Sequence, residues 1–362
     1  MNTLEPLRPF SMFQVGEAVE VQLNTLFVVT RKATVRRDHL TLKVIIERQT
    51  KLAVPVHQID GLAAFGGVYV TPSAMALCAE NNVAVSFLTP SGRLIARVDA
   101  PGSGNVLLRR EQFRAADAAE KRAAVAKAIV AGKIHNARNL LLRSAREADA
   151  DDDRRELSGA ACRLGQSIRL LGAVNDADSA RGHEGDAART YFDVFGRLVR
   201  VNRDSFIPNG RTRRPPRDRM NALLSFLYGL LRHDCAAGLQ AAGLDPSVGF
   251  LHVDRPGRPG LALDLMEEFR PLIADRVALA LVNRKQVKAD GFSVRDGGGV
   301  ELADQTRRAV IAEYQKRKRD EVMHPTLNQK CPIGRLWFLQ AKILARVVRG
   351  DLPQYVPCVL KN

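Results

Sequence analysis

Cysteine is scarce in this chain of 362 residues, which contains only five. They lie far apart in the sequence, as Cys78, Cys162, Cys235, Cys331 and Cys358. No two of them form a Cys-x-x-Cys pair and their number is odd, so a structural zinc site and a disulfide framework are both disfavoured. Widely spaced, unpaired cysteines are typical of a protein in a reducing cytoplasm.

Long apolar runs are missing as well. No segment offers the roughly 18 consecutive apolar residues that identify a membrane-spanning helix. Residues 1–16 lack the basic start and apolar core of a signal peptide. We therefore expect a cytoplasmic protein with no membrane among its partners.

Several common catalytic signatures are absent from the sequence. There is no Gly-x-Ser-x-Gly elbow and no His-Glu-x-x-His motif. The glycine-rich residues 291–299 lack the Gly-Lys-Ser/Thr ending of a P-loop, and Gly66-Gly67 lacks the remaining glycines of a dinucleotide-binding fingerprint. Serine hydrolase, zinc peptidase and nucleotide-binding chemistry are therefore the weaker hypotheses.

Positive charge, in contrast, is abundant. Lysine and arginine number 55 against 39 acidic residues, giving a net charge of +16 and a pI near 10.1. This excess favours a polyanionic partner, although it could instead only maintain solubility. Aromatic residues make up 6% of the chain, with one tryptophan, so we expect contacts with phosphates more than with stacked bases.

Basic residues form runs at 211–219, 284–288 and 316–319. A single charged run is usually a solvated face, but three runs on a basic chain favour a track for nucleic acid. The residues that we predict to contact phosphates are Arg211, Arg213, Arg214, Arg217, Arg284, Lys285 and Lys288.

The hydrophobic pattern predicts an α+β protein with an N-terminal β-rich domain followed by a C-terminal all-α domain. Strand patterns occur at 26–30, 39–47, 51–56, 84–88 and 93–98, with a turn at 90–92 and a helix at 73–80 that Thr71 can cap. A Pro/Gly-rich boundary follows at 101–105. We place an extension at 1–20, the β-rich domain at 21–102 and the helical domain at 103–362.

Helical patterns dominate the second part of the chain. Apolar residues recur at spacings of three and four in seven segments: 112–145, 157–171, 182–201, 220–238, 261–283, 305–323 and 336–348. Residues 146–156 contain nine charged side chains and two alanines, which predicts a solvated connector.

One glutamate stands within an apolar stripe. At about 100° per residue, Glu184 shares a helix face with Ala188, Tyr191 and Phe195. A carboxylate in such a stripe is costly unless it is paired. Its partner could be a metal ion or an arginine, such as Arg189 or one of the arginines at 211–219.

A second group of polar residues lies downstream. His252 ends an apolar segment, and a Pro/Gly loop then leads to a helix on which Asp264, Glu267 and Glu268 share one face. Taken alone, the histidine could be structural and the acidic face simply solvated. Taken together with Glu184, these side chains favour a site for Mn²⁺ or Mg²⁺ over Zn²⁺, because hard ions prefer oxygen donors and Mn²⁺ also accepts imidazole.

Several strings of residues carry a family resemblance. They are residues 23–28, 61–67, 104–113, 182–188, 221–228, 249–252 and 263–271. In this order they resemble the CRISPR-associated spacer-integration endonuclease family, the integrase subunit of the adaptation complex. The details are most similar to its subtype I-C branch, and the resemblance covers nearly the whole chain after the N-terminal extension.

The resemblance implies a β-rich dimerisation domain, an α-helical metal-dependent catalytic domain and a homodimer. It also implies a complex with the small ferredoxin-like second CRISPR adaptation subunit and action on double-stranded and branched DNA. The family's catalytic metal ligands fall on Glu184, His252 and Glu267. Many relatives carry aspartate at the last position, so Asp264 or Glu268 could share that role.

The activity implied by the resemblance is metal-dependent endonuclease and integrase chemistry. Captured foreign DNA fragments would be inserted into a CRISPR array by phosphodiester transesterification, as part of adaptive antiviral immunity. Two alternatives remain open at this stage. One is a non-catalytic basic DNA-binding scaffold, and the other is a helical nuclease that processes RNA.

Overall fold

A computed structural model describes residues 19–22, 25–59, 61–89, 94–98 and 106–360. The N-terminal extension predicted at 1–20 lies almost wholly outside the described residues. The predicted turn at 90–92 and the boundary at 101–105 also lie outside them.

The N-terminal part consists of strands and one helix. They are β1 (Val19–Gln22), β2 (Thr25–Val28), β3 (Thr34–Asp38), β4 (Thr41–Ile46), β5 (Gln49–Pro55), β6 (Gly61–Phe65), β7 (Tyr69–Val70), α1 (Pro72–Glu80), β8 (Ala84–Leu88) and β9 (Leu94–Val98). A 3₁₀ turn, Val56–Gln58, follows β5. Each predicted strand is present, with bounds that differ by a few residues. Helix α1 begins as expected, and the Thr71 hydroxyl accepts a hydrogen bond from the Ala74 N–H.

Two sheets are formed from these strands. One has the order β1-β2-β6-β8-β9, with a parallel centre and antiparallel edges, and the other has the order β5-β4-β3-β7. Side chains of a strand alternate between two faces. Leu26 and Val28 therefore pack into the core of the β-rich part, whereas Phe27 and Phe65 pack against the helices that follow. Burial on both faces explains why these strands show no polar alternation.

The second part is mainly helical. Its helices are α2 (Val106–Asp117), α3 (Ala119–Arg146), α4 (Asp151–Leu171), α5 (Ala177–Asp193), α6 (Arg203–Phe206), α7 (Arg219–Ala241), α8 (Gly260–Phe269), α9 (Asp275–Asn283), α10 (Asp304–Arg319) and α11 (Leu336–Arg349). Short 3₁₀ turns occur at Phe195–Leu198, Ala289–Gly291 and Ile333–Arg335. The predicted succession of a β-rich and a helical part is confirmed.

Two short hairpins correct the expectation that this part is all-α. They pair β10 (Phe292–Val294) with β11 (Val300–Leu302), and β12 (Glu321–Met323) with β13 (Lys330–Pro332). The first hairpin turns through Gly297 and Gly298, both at positive φ, a conformation that glycine adopts without steric cost. A helical period cannot continue through such a turn.

The prediction of a charged connector at 146–156 is wrong for its second half, because α4 begins at Asp151. Its three aspartates lie in the first turn of α4, where negative charge is favourable. Asp151 pairs with Arg154, three residues later. The helix predicted at 112–145 is likewise divided into α2 and α3 between Asp117 and Ala119.

The predicted helix at 261–283 contains an irregular turn. A π-helical segment, Arg270–Ala274, separates α8 from α9 and includes Pro271. Proline has no N–H and cannot donate an ordinary helical hydrogen bond, so the ladder is interrupted here. Single π turns within helices often occur near functional residues.

The helical part packs around α3, which contacts α4, α5 and α8. It also packs on the five-stranded sheet, where the rings of Phe65 and Phe226 lie 6.2 Å apart. None of the described helices has an apolar stretch long enough to span a membrane. Helix α3 brings α5 and α8 together, and a group of polar side chains lies where these three helices meet.

Candidate active site

The predicted ligands come from three separate elements and are brought together by the fold. Glu184 lies on α5, Glu267 lies on α8, and His252 lies in the loop between α7 and α8. His252 Nε2 is 4.0 Å from Glu267 Oε1. On α3, Lys133 places its ammonium between the carboxylates of Glu184 and Glu267.

The loop that carries His252 is held by Asp264. One carboxylate oxygen of Asp264 accepts from the N–H groups of Phe250 and Leu251, at 2.6 and 2.9 Å. The other oxygen accepts from the His252 N–H at 2.9 Å and lies 2.6 Å from His252 Nδ1. A carboxylate on Nδ1 fixes the orientation of the imidazole and leaves Nε2 as the donor atom toward a metal. Asp264 thus positions His252 and is fully engaged in doing so.

The close approach of this loop to α8 requires glycine at position 249. A Cβ built on Gly249 would lie 2.8 Å from Asp264 Oδ2 and 2.8 Å from the Gly260 backbone. Real Cβ atoms do not approach other heavy atoms this closely, so any larger residue would force this loop and the start of α8 apart.

Glu267 is the acid of α8 that faces the site. Its side chain is 3% exposed; Oε1 lies 3.0 Å from the Arg270 guanidinium and Oε2 lies 2.6 Å from Lys133 Nζ. Burial raises the pKa of this carboxyl, but Arg270, Lys133 and His252 outweigh burial and lower the pKa to about 2. Oε2 has no hydrogen bond of good geometry, although it contacts the lysine. Glu267 is therefore a buried, ionised carboxylate with an oxygen available to a cation.

Glu268, its neighbour, faces the opposite way. It accepts from the Tyr355 hydroxyl at 2.5 Å, the Cys358 N–H at 2.8 Å and the Gln340 side chain at 3.2 Å. Burial raises the pKa of Glu268 to about 7, despite these hydrogen bonds. The hypothesis of a solvated acidic face on α8 is wrong, since Asp264, Glu267 and Glu268 are all buried.

Lys133 is the residue of this site that sequence reasoning missed. It follows Ile129 and Val130 on a buried stripe of α3, and its side chain is 10% exposed. A lysine in an apolar stripe is the same signal that identified Glu184, and it could have been found in the same way. The alternative in which Glu184 pairs with an arginine such as Arg189 is wrong: Glu184 pairs with Lys133, whereas Arg189 lies on the surface beside Asp186.

The donor set suits a hard divalent ion. In the described part of the chain, no three His, Cys, Asp or Glu side chains already form a metal-binding group, and the cations Lys133 and Arg270 lie against Glu267. Two carboxylates, one with an oxygen lacking a hydrogen bond, and one oriented imidazole nevertheless provide donors that Mn²⁺ or Mg²⁺ accepts.

The predicted phosphate-binding residues lie in different surroundings. Arg213, Arg214, Arg217, Lys285 and Lys288 are exposed, and Arg284 is exposed but 3.2 Å from Glu313.

Arg211 is more enclosed. Its guanidinium lies between the rings of Phe192 and Tyr228 and donates to Asn221 at 2.7 Å, and burial lowers its pKa. In the third basic run, Lys318 is buried against Asp234, so that run is only partly a surface feature.

A group of arginines lies beside the site, and we call it the arginine rim: Arg181, Arg214, Arg255 and Arg258. Burial and then the charge of Arg255 lower the pKa of Arg258; Asp264 raises it, and Arg181 and Arg214 lower it further, so each of these charges lies within electrostatic reach of Arg258. Arg181 precedes Glu184 by one helical turn, and Arg255 and Arg258 belong to the Pro/Gly loop after His252. Arginine recognises phosphate with two parallel hydrogen bonds, so this rim suits a nucleic-acid backbone.

Comparison with known proteins identifies relatives along most of the chain. A family model described as CRISPR associated protein Cas1 matches residues 26–316. The chain is 48% identical to the CRISPR-associated endonuclease Cas1 1 of Moorella thermoacetica, over 94% of this chain and 99% of that protein.

Solved structures share the fold. A casposase bound to integration product has a TM-score of 0.77 at 22% identity, with 93% of each chain covered. A Cas6-RT-Cas1–Cas2 complex has a TM-score of 0.80 at 24% identity, covering 97% of this chain and 37% of that one. At these identities the likeness extends to the fold alone.

Proposed function

The chain belongs to the family of the CRISPR-associated endonuclease Cas1, and on this premise we propose that it integrates captured DNA fragments into a CRISPR array by phosphodiester transesterification. One observation carries the proposal: Glu184, Glu267 and His252 Nε2 converge from three elements at a site beside an arginine rim. Such donors next to clustered guanidinium groups suit metal-assisted chemistry on a phosphodiester.

We assign metal binding to Glu184, His252 and Glu267, with Mn²⁺ or Mg²⁺ as the ion. The ion would supply Lewis-acid stabilisation of the negative charge that develops on the phosphoryl oxygens. Asp264 contacts His252 Nδ1 and orients the ring so that Nε2 is available, and Arg270 holds the Glu267 carboxylate. Because Glu267 is buried and Glu184 and His252 are only 20% and 17% exposed, access of competing water is reduced and electrostatic interactions are strengthened.

We propose that the substrates are double-stranded and branched DNA. The arginine rim would bind the phosphates next to the reacting bond. Arg213 and Arg217, together with Arg284, Lys285 and Lys288, would bind phosphates farther along the duplex, since their side chains are exposed. A casposase of similar fold that is bound to integration product supports this choice of substrate.

We further propose a homodimer that assembles with the second CRISPR adaptation subunit, a small ferredoxin-like protein. A Cas1–Cas2 complex containing a chain of similar fold supports this partner. The β-rich part would dimerise and set the distance between two active sites. The subtype I-C branch and the cytoplasm remain our proposals, the latter because the cysteines are free and mostly buried.

Strand transfer on branched DNA that mimics a half-integrated fragment tests the proposal. Wild type, Glu184→Ala and the control Asp186→Ala are compared with Mn²⁺ and with EDTA. Asp186 lies on the same helix with its side chain 74% exposed, so its loss should leave the reaction intact. Metal-dependent release and rejoining of strands, lost only in Glu184→Ala, is the expected result.

DNA binding separates this function from the scaffold alternative. Glu184→Ala removes a metal ligand and no cation, so binding should stay close to that of wild type. A wild type that binds DNA with steep salt dependence, yet releases no strand in Mn²⁺, would favour a scaffold.

A further inference from the structure

Lys133 occupies a singular position in the described part of the chain, because its ammonium contacts two of the three proposed metal ligands. It donates to Glu184 Oε1, and its Nζ lies 2.6 Å from Glu267 Oε2. These are carboxylates of different helices, joined by a lysine of a third helix. The side chain of Lys133 is thus the cation that links α5 to α8 through α3.

An ammonium in this place has a clear electrostatic role. Two ionised carboxylates that face each other in a poorly solvated site repel, and a buried charge without a partner is costly. With Lys133 and Arg270, the two carboxylates are matched by two cations. The protein can therefore fold with both ligands ionised before any divalent ion arrives.

The same arrangement places the lysine in competition with an ion. Mg²⁺ binds its oxygen ligands at about 2.0–2.1 Å, so an ion held jointly by Glu184 and Glu267 would need the space between the two carboxylates that Lys133 fills. Ammonium and ion cannot both occupy the space between Glu184 Oε1 and Glu267 Oε2. One must leave as the other enters.

The lysine adjoins a small cavity. Its volume is about 20 Å³, room for about one water molecule, and it is lined by Lys133 together with Tyr191, Tyr228, Arg270 and Asp275. Its wall contains polar groups, since the hydroxyls of Tyr191 and Tyr228 both donate to Asp275. A four-carbon flexible stem lets the ammonium move without movement of α3.

We propose that Lys133 is a built-in counterion that competes with the divalent ion for Glu184 and Glu267, so that metal binding requires its side chain to withdraw from the space between these two carboxylates. The inference rests on the proposed function, because it assumes that these carboxylates bind metal. It makes Lys133 a positioning residue that keeps the ligands together in the metal-free protein and limits the affinity of the loaded site.

The test measures metal affinity and thermal stability in the full chain. Lys133→Met removes the ammonium at similar length, and Lys133→Gln keeps hydrogen-bonding capacity in case the first variant folds poorly. Lys121→Met removes an exposed lysine from the same helix and controls for net charge. Mn²⁺ affinity is measured by calorimetry, and melting temperature is measured with EDTA and with saturating Mn²⁺.

The expected result has two parts. Both Lys133 variants should bind Mn²⁺ at least tenfold more tightly than wild type, while Lys121→Met does not. They should also melt at a lower temperature in EDTA and recover most of the difference in Mn²⁺. Glu184→Gln should bind Mn²⁺ more weakly than wild type, as the loss of a ligand requires.

Two failures are distinguishable. If the Lys133 variants bind Mn²⁺ as weakly as wild type or more weakly, competition is excluded, while the metal site of the proposed function survives through Glu184→Gln. If neither wild type nor the Lys133 variants bind Mn²⁺, the proposed metal site fails and this inference fails with it.

Discussion

Glu267 and Glu268 are adjacent residues of one helix, equally buried, and they meet opposite chemical surroundings. Glu267 faces cations and has a pKa lowered to about 2, whereas Glu268 accepts from neutral donors and has a pKa raised to about 7. Burial alone raises the pKa of either carboxyl. The two acids are equally buried, so the neighbouring groups decide which carboxyl group is ionised and could bind a cation.

The two faces of α8 differ in construction as well. The front face meets His252 and helices α3 and α5, near the arginine rim. The back face is closed by residues 353–360: Asn136 of α3 donates to the Glu268 carbonyl at 2.9 Å and to the Cys358 carbonyl at 2.8 Å. One face is arranged for a charged ligand, and the other joins the end of the chain to the core.

The largest expected effect separates the two glutamates by activity. Glu267→Gln should lower strand transfer by about 10²- to 10³-fold or more, since it removes the negative charge of a proposed metal ligand. Glu268→Gln should remain close to wild type, because Glu268 is held by neutral donors. Rates on branched DNA with Mn²⁺ measure this, with circular dichroism to verify folding. Equal losses would abolish the distinction between the faces.

For stability, in contrast to activity, we expect a large effect of substitution at Glu268 on the back face. Glu268→Ala leaves the Tyr355 hydroxyl and the Cys358 N–H buried without an acceptor, at a cost of about 3 kcal/mol. Glu268→Gln retains an acceptor and should cost much less. Urea unfolding of the metal-free protein measures both free energies. A mild effect of the alanine variant would mean that residues 353–360 do not depend on this carboxylate.

Asp275 extends the comparison to a third buried acid. Burial raises its pKa to about 6, although the Tyr228 and Tyr191 hydroxyls lower it in part. Between pH 3.8, the ordinary value, and about 6, the folded state holds this proton more often than the unfolded state. Stability should therefore fall as pH rises through this window, by on the order of 2 kcal/mol, and then level off.

Asp275→Asn is the matched variant for this pH dependence, because it is neutral throughout. The difference in unfolding free energy between wild type and Asp275→Asn should change across the window and be constant above it. A constant difference at every pH would mean that the two tyrosines keep Asp275 ionised, as the cations keep Glu267 ionised.

The smallest expected effect concerns the arginine rim. Arg255→Ala with Arg258→Ala should reduce the slope of log affinity for DNA against log salt by roughly 0.9 for each phosphate that is no longer neutralised. Arg284→Ala should change the slope less, since Arg284 already pairs with Glu313. Fluorescence anisotropy at several salt concentrations measures both. Equal changes would mean that charge near the active site has no special role in DNA binding.

Much of the architecture was predictable because it depends on local patterns. The hydrophobic pattern indicated a strand at 84–88, and Thr71 with Pro72 indicated the start of α1. The prediction failed where charges obscured a helix, at the start of α4, and where glycines reversed the chain between β10 and β11. In both places the deciding features were local: the Asp151–Arg154 pair in the first turn of α4, and positive φ at Gly297 and Gly298.

The candidate site was predictable in part. Glu184 stood out because a carboxylate in an apolar stripe demands a partner, and Lys133 carries the same signal on α3 without having been recognised. The choice among Asp264, Glu267 and Glu268 was open, since their spacing puts all three on one side of a helix. The assignment of individual arginines to phosphates remains a prediction.

The sequence by itself determined the donor types, their order along the chain, the excess of positive charge and the succession of a β-rich and a helical part. Only the tertiary structure decided that Asp264 serves the His252 loop, Glu267 faces Lys133 and Glu268 faces residues 353–360. The physical reason is that helical periodicity specifies which side chains share a face. It does not specify what the packed neighbours bring to that face.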